Sequence, residues 1–180
     1  MGVAFFGCFR AGELCLLDGV VFQPKLHLTV SDVVVNRVSS YITVHLKQSK
    51  TDTLDHGIDV NIGCSNTSVC AYCLMQRYLD QHPDPRPSSP LFIDCNFSVL
   101  RKSYFVATTK LAVACEGYDS SQYSGHSFRA GSATDGAAAG FSSWELKMLG
   151  RWSSEAYNVY LRDPTLAVSF SQRLAVPDVV

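Results

Sequence analysis

Charge is sparse in this chain and neither sign prevails. Lys and Arg number 15 against 16 Asp and Glu in 180 residues, for a formal net charge of −1. This excludes a protein that coats nucleic acid by bulk electrostatics, although it leaves room for a local basic cleft. Long apolar runs are missing as well: none approaches the roughly 20 residues that a membrane helix requires. The opening MGVAFFGCF is apolar but has no basic start and no small-residue cleavage site, and Arg10 interrupts it, so it reads as a helix face and not as a secretory signal. A metal-dependent nuclease would need clustered carboxylates. Asp52, Asp55 and Asp59 share one loop and its following strand without any partner motif, which leaves that class little support. Repeats and low-complexity tracts are also lacking.

The seven cysteines are odd in number and unevenly spaced, which argues against a disulfide framework and for a reducing compartment. Cys70 and Cys73 form a C-x-x-C with Cys64 nearby, which could hold zinc or serve redox chemistry. A structural zinc site wants four convergent ligands, and neither a second C-x-x-C nor an H-x-x-x-H follows. The segment SVCAYCLMQRYLDQH also reads as a helix with Cys70, Cys73, Leu74 and Tyr78 near one side, where cysteine is a small hydrophobe. No metal and no cofactor is therefore expected.

With 47% apolar and 17% charged residues, the chain has the composition of a globular domain and the length of a single one. Apolar spacing predicts a helix over 3–17. Alternation predicts strands over 26–30, 41–46 and 57–62, the last two joined as a hairpin by a polar loop with Lys50 near its tip. A helix over 68–81 must stop at HPDPRPSSP, where four prolines fall in nine residues. Further helices are predicted over 99–115, 126–139, 143–149, 154–161 and 165–174. The expected architecture is mainly α with a small three-stranded antiparallel sheet, an α+β domain.

The chemistry concentrates in SGHSFRAGSATDGAAAGFSSWELKMLGRWSSEAYNVYLRD. His126 and Arg129, three apart on a helix, project together. Arg offers a rigid fork of donors for a phosphate, and His trades protons near neutral pH. An isolated H-x-x-R is equally compatible with a helix-end contact and a core histidine. The glycines and alanines that follow suit close helix packing, since each helical glycine costs about 1 kcal/mol relative to alanine. GHSFR is no nucleophile elbow, because Arg129 stands where G-x-S-x-G needs glycine.

YSGHSFRAGSATDGAAAG, LKMLGRW and AYNVYLR together closely resemble the C-terminal part of tyrosine recombinases of the phage-integrase type, especially those of eukaryotic mobile elements. Upstream, FFGCFRAGEL resembles the family's first arginine motif and LKQSKTDTLDHGIDVNI its lysine-bearing β-hairpin. These five matches run in the family's order from residue 5 to 163. The resemblance implies that a tyrosine attacks a DNA phosphodiester, forms a 3′-phosphotyrosyl link and passes the strand to a new partner without metal. Arg10 and Arg129 would neutralise the pentavalent phosphate. Glu13 would orient an arginine or the neighbouring base, its alternative being an ordinary surface ion pair. Lys50 would protonate the leaving 5′ oxygen, with Lys47 as runner-up. His126 would assist proton transfer at the nucleophile, and the Trp152 indole would donate to a phosphate oxygen, unless Trp152 is plain core. Tyr160 in YLR is the expected nucleophile and Tyr157 the alternative.

Two departures from the family stand out. The gap from Trp152 to Tyr160 is one residue shorter than in the bacterial and phage members. Arg10 also arrives almost at once, where the family places further helices and a DNA-clamping domain, so the chain reads as one catalytic domain over 1–180, truncated at its N-terminal end. The resemblance implies an intracellular, nuclear protein that acts on duplex DNA as a homo-oligomer, with no membrane and no small-molecule substrate. A domesticated or decayed relative that binds DNA or a protein without cutting is the other reading.

Overall fold

Alternation along YITVHL and IDVNIG builds the element that organises this domain. In the computed structural model, which describes residues 1–47 and 57–160, these segments form β2 (Tyr41–Leu46) and β3 (Ile58–Gly63). A short β1 (Val33–Asn36) completes an antiparallel sheet in the order β1-β2-β3. Register pairs Ile42 with Ile62 and Val44 with Val60, so the apolar positions of both strands fall on one buried face. The other face carries polar pairs: Thr43 Oγ1 donates to Asn61 Oδ1 at 2.6 Å, and His45 Nδ1 meets Asp59 Oδ1 at 2.7 Å. A one-residue slip would exchange these two faces, which is why the register is firmly specified.

Helices cover the buried face. The chain opens with α1 (Gly2–Phe6) and α2 (Ala11–Leu14), and after the sheet come α3 (Ala71–Asp80), α4 (Lys102–Cys115), α5 (Ser127–Ala138) and α6 (Ser143–Gly150). A 3-10 segment, Glu155–Tyr160, follows. Phe9, Ile42, Val44, Leu46, Met75 and their neighbours form the main core between α1, α2, α3 and the sheet. A smaller core of Ala137, Leu146 and Tyr157 joins α5, α6 and the 3-10 segment.

The expected α+β class, with its single three-stranded antiparallel sheet, is the observed one. Helix α3 runs within the predicted 68–81, and α4 within 99–115, with Gly117 just beyond it at φ +82°. Two elements differ. The helix predicted over 3–17 is two short helices, because Cys8 adopts left-handed backbone at φ +48° and Arg10 is extended before α2. The first strand is Val33–Asn36 and not 26–30, which instead leads into a 3-10 turn at Val30–Asp32. There Asp32 caps the turn by accepting from Thr29 N at 2.7 Å and from Thr29 Oγ1 at 2.8 Å. The helix predicted over 165–174 lies outside the described residues.

Lys47, just past β2, ties this turn to the sheet. Its ammonium lies 2.5 Å from Asp32 Oδ2 and donates to the carbonyls of Pro24 (2.6 Å) and His27 (3.1 Å) and to Thr29 Oγ1 (3.2 Å). Removing one partner of a shielded ion pair leaves the other charge uncompensated. Lys47→Met is therefore expected to cost about 3 kcal/mol of unfolding free energy, read as a lower urea midpoint.

Candidate functional site

The site is built around the left-handed turn at Cys8. Turning there brings two backbone carbonyls, Gly7 and Cys8, toward the start of α5 and the end of α6. Arg129, in the first turn of α5, donates from Nη1 to Cys8 O at 2.7 Å and from Nη2 to Gly150 O. Arg151 donates from Nη1 to Gly7 O at 2.9 Å and from Nη2 to Cys8 O at 3.3 Å. The Cys8 carbonyl thus serves two guanidiniums.

Glu13 completes the cluster. Its Oε1 accepts from Arg10 Nη1 at 2.7 Å, while Oε2 accepts from the Arg10 backbone N at 2.8 Å and from Arg151 Nη2 at 3.0 Å. The Glu13 side chain is 7% exposed, so this is a shielded carboxylate bridging two arginines and not a surface ion pair. By accepting from the Arg10 backbone N–H, Glu13 also caps the start of α2, where the chain turns helical again at Ala11.

Arg129 is almost wholly enclosed, with 1% exposure. Burial pushes its pKa below the ordinary guanidinium value, and the charges of Arg10 and Arg151 act in the same direction, with Glu13 opposing them. Its outer face is covered by Trp152, whose ring centroid lies 4.4 Å from the guanidinium carbon. The indole meets Arg129 with its face. Trp152 folds back over Gly150, where any Cβ would fall 1.8 Å from the ring, so only glycine fits.

Tyr157 and Tyr160 flank Trp152, with ring centroids 5.9 and 6.0 Å away. Tyr157 is a core residue, 2% exposed between α5 and α6. Tyr160 is half-buried, and its carbonyl accepts from Thr134 Oγ1 at 2.9 Å, which hangs the end of the 3-10 segment on α5. His126, the N-cap of α5, is exposed. A hydrogen bond from Ala11 N to Gly125 O, 3.3 Å, sets the residues next to His126 and Arg10 side by side. The small residues of α5 do the packing expected of them: Ser132, Ala133, Gly136 and Ala137 are buried, and a Cβ on Gly136 would press on Leu146 at 3.1 Å.

The structure therefore brings together Arg10, Glu13, Arg129, Trp152 and Tyr160, with His126 at the edge. Lys50 lies outside the described residues. The roots of its hairpin do not: Ile58 and Asp59 line one open cleft of about 530 Å³ together with Lys147, Arg151 and Trp152. Lys47, the alternative to Lys50, has its ammonium engaged by four oxygen acceptors. A separate apolar cavity of about 220 Å³, lined by Val3, Leu14, Leu100 and Phe105, offers no charged side chain for phosphate chemistry.

Sequence reasoning missed Arg151. It ends α6 in left-handed backbone at φ +56°, a conformation that costs a non-glycine residue about 1 kcal/mol or more and persists where surrounding contacts fix it. Here those contacts are Gly7 O, Cys8 O, Glu13 and the Phe9 ring at 5.1 Å. Its Nε is buried without a hydrogen-bond partner among the described residues. One sign of it was legible: starting the short Trp152–Tyr160 gap at Arg151 instead adds the missing residue.

Three guanidiniums around one carboxylate leave the cluster with excess positive charge, which fits an anion such as a phosphodiester. Comparison with solved structures agrees on the fold. The chain superposes on the crystal structure of XerA recombinase with a TM-score of 0.70 at 16% identity, over 98% of this chain and 55% of that one. It superposes on the Tn1549 transposon integrase in complex with transposon right end DNA with a TM-score of 0.59 at 17% identity, over 97% and 57%. The same integrase with circular intermediate DNA gives 0.58 at 17% identity, over 96% and 55%. The fold is that of a tyrosine-recombinase catalytic domain, and the chain spans a little over half the length of these proteins. No protein-family model and no curated protein matches it.

Glu13→Ala would leave Arg10 and Arg151 facing each other without their shared carboxylate. The expected loss is about 3 kcal/mol of stability, measured by urea unfolding against the unsubstituted protein.

Proposed function

We propose that this domain breaks and rejoins DNA strands through a covalent 3′-phosphotyrosyl intermediate, with Tyr160 as nucleophile. The observation that carries the reading is the contact chain Arg10–Glu13–Arg151–Cys8 O–Arg129–Trp152–Tyr160, which links three guanidiniums, through the Trp152 ring, to a half-buried tyrosine. Attack by the tyrosine requires that its hydroxyl proton be taken up as the new bond to phosphorus forms. Arg10 and Arg129 stabilise the charge that grows on the phosphate oxygens. Arg151 and Glu13 hold Arg10 and the Cys8 turn in place. Lys50, on the hairpin whose base lines the neighbouring cleft, delivers the proton to the departing 5′ oxygen, and His126 manages the proton released by the phenol. DNA and further copies of the chain are the partners this chemistry needs.

Each step balances without a cofactor. The phenol loses a proton as its oxygen bonds to phosphorus, the phosphorus–5′ oxygen bond breaks, and the leaving oxygen gains a proton. Rejoining is the reverse, with another 5′ hydroxyl as attacker.

One observation favours the second reading, a relative that binds DNA or a protein without cutting: Arg129 is enclosed and its covering Trp152 would have to move before a phosphate could reach it. Incubation with a nicked duplex in chelator separates the two, because only the enzyme forms a covalent protein–DNA adduct. Tyr160→Phe is expected to abolish the adduct while Tyr157→Phe retains it, and an adduct that persists in Tyr160→Phe would overturn the assignment. Lys50→Ala should slow cleavage by about 10²- to 10⁴-fold. A substrate with sulfur in place of the bridging 5′ oxygen should restore the rate, since a thiolate leaves without protonation. Failure of that rescue would deny Lys50 the role of acid.

A further inference from the structure

Away from the arginine cluster, the connection from β3 to α3 gathers three cysteines. Cys64 directly follows β3, Cys70 is the N-cap of α3, and Cys73 lies in its first turn. Their sulfur atoms all lie within 4.8 Å of one another, and Cys70 Sγ is 3.5 Å from Cys64 Sγ. Three thiolates bound to one tetrahedral zinc ion at 2.3 Å sit roughly 3.8 Å apart. The triangle thus has the dimensions of half a zinc tetrahedron's edges and needs only small rotamer adjustments to close on an ion.

The loop that brings the sulfurs together is itself well defined. Cys64 N donates to Ser40 O at 2.8 Å, fixing the exit from β3. Asn66 takes left-handed backbone at φ +53°, and the hydroxyls of Ser65 and Thr67 both donate to Val69 O, at 3.3 and 3.0 Å. This folds residues 64–70 back on themselves. Cys70 and Cys73, three apart at the head of a helix, then share a face. Burial is graded across the group: Cys70 is 3% exposed, Cys64 is partly buried and Cys73 is exposed. The site consequently has a protein-enclosed side and a mouth open to solvent.

A disulfide is a poorer account. Any pairing would leave one sulfur over, and the 3.5 Å separation of Cys64 and Cys70 is far from the roughly 2.05 Å of a bond. Counting ligands along the chain finds three and stops. Folding makes the three converge, and three protein ligands with a water in the fourth position is the open arrangement of zinc sites that keep an exchangeable position, unlike the closed four-ligand structural sites.

We propose that Cys64, Cys70 and Cys73 bind one zinc ion, with solvent as fourth ligand, as a clamp that fastens the end of β3 to the head of α3. Binding releases the thiol protons to solvent and oxidises nothing. Because α3 packs on β2, β3 and α1, the clamp stiffens the platform that carries the hairpin and the Cys8 turn.

The test is titration of the reduced, metal-stripped full chain with Co²⁺ as a spectroscopic stand-in. The expected result is saturable one-to-one binding with a thiolate-to-cobalt charge-transfer band and the visible bands of a tetrahedral ion, both displaced by Zn²⁺. Cys64→Ser, Cys70→Ser and Cys73→Ser should each weaken zinc binding roughly tenfold or more, whereas a Cys95→Ser, Cys115→Ser double variant should bind as the parent does. Alkylation of the unsubstituted protein gives a readout that needs no variant: zinc should protect Cys73 and leave the exposed Cys95 reactive. Absence of one-to-one binding, equal reactivity of Cys73 with and without zinc, or a disulfide among the three in freshly prepared protein would each overturn the proposal.

Discussion

A single backbone carbonyl, that of Cys8, holds two guanidiniums in place, and the rest of the site is arranged around this contact. Hydrogen bonds from a charged donor contribute about 1.5–3 kcal/mol each, enough to offset two non-glycine residues, Cys8 and Arg151, in left-handed backbone. The arrangement joins three distant stretches of chain: residues 7–13, the head of α5 and the end of α6. Without it the first arginine motif would have no fixed relation to the second. The break between α1 and α2 is thus the feature that aims the carbonyls and frees Arg10 to cap the next helix.

Of the three arginines, Arg129 is the most deeply enclosed. Arg129 has carbonyl oxygens at two of its nitrogens and an aromatic face above it, in a pocket where burial already disfavours its charge. A phosphate brought to that pocket would supply the negative charge the pocket lacks. The enclosure and the excess of arginine therefore belong together: a ligand that neutralises the cluster gains more in a shielded setting than it would in open solvent. Trp152 covers this pocket, and its place over Gly150 makes the cover part of the α6 terminus.

Much of this was legible in the sequence because the relevant signals are local. Period-two alternation in YITVHL placed β2 and its register partner, and the proline run ended α3. The small residues of α5 likewise read correctly as packing residues, whereas His126 is an exposed N-cap and Arg129 a buried residue of the first turn. What could not be read depended on backbone excursions or on distant partners. No rule of apolar spacing foretells that Cys8 turns left-handed, so 3–17 looked continuous. Lys47 and Lys50 are alike in sequence, and only the folded turn at Thr29–Asp32 shows that Lys47 is fully engaged. Arg151 was hidden behind its neighbour Trp152, and although Cys64 stood out beside Cys70 and Cys73, their convergence depends on a loop whose return is set by Asn66 and two hydroxyls.

The anchoring of Lys47 sets a tether. With its ammonium locked into the Pro24–Asp32 turn and its own strand ended at Leu46, covalent geometry confines any residue three positions further along to within roughly 10 Å of the Lys47 Cα. The chain that leaves Lys47 thus starts from a point that belongs to the sheet. Loss of the anchor would leave that reach unchanged but free its starting point, so a side chain on the sheet's far end governs where the following residues begin.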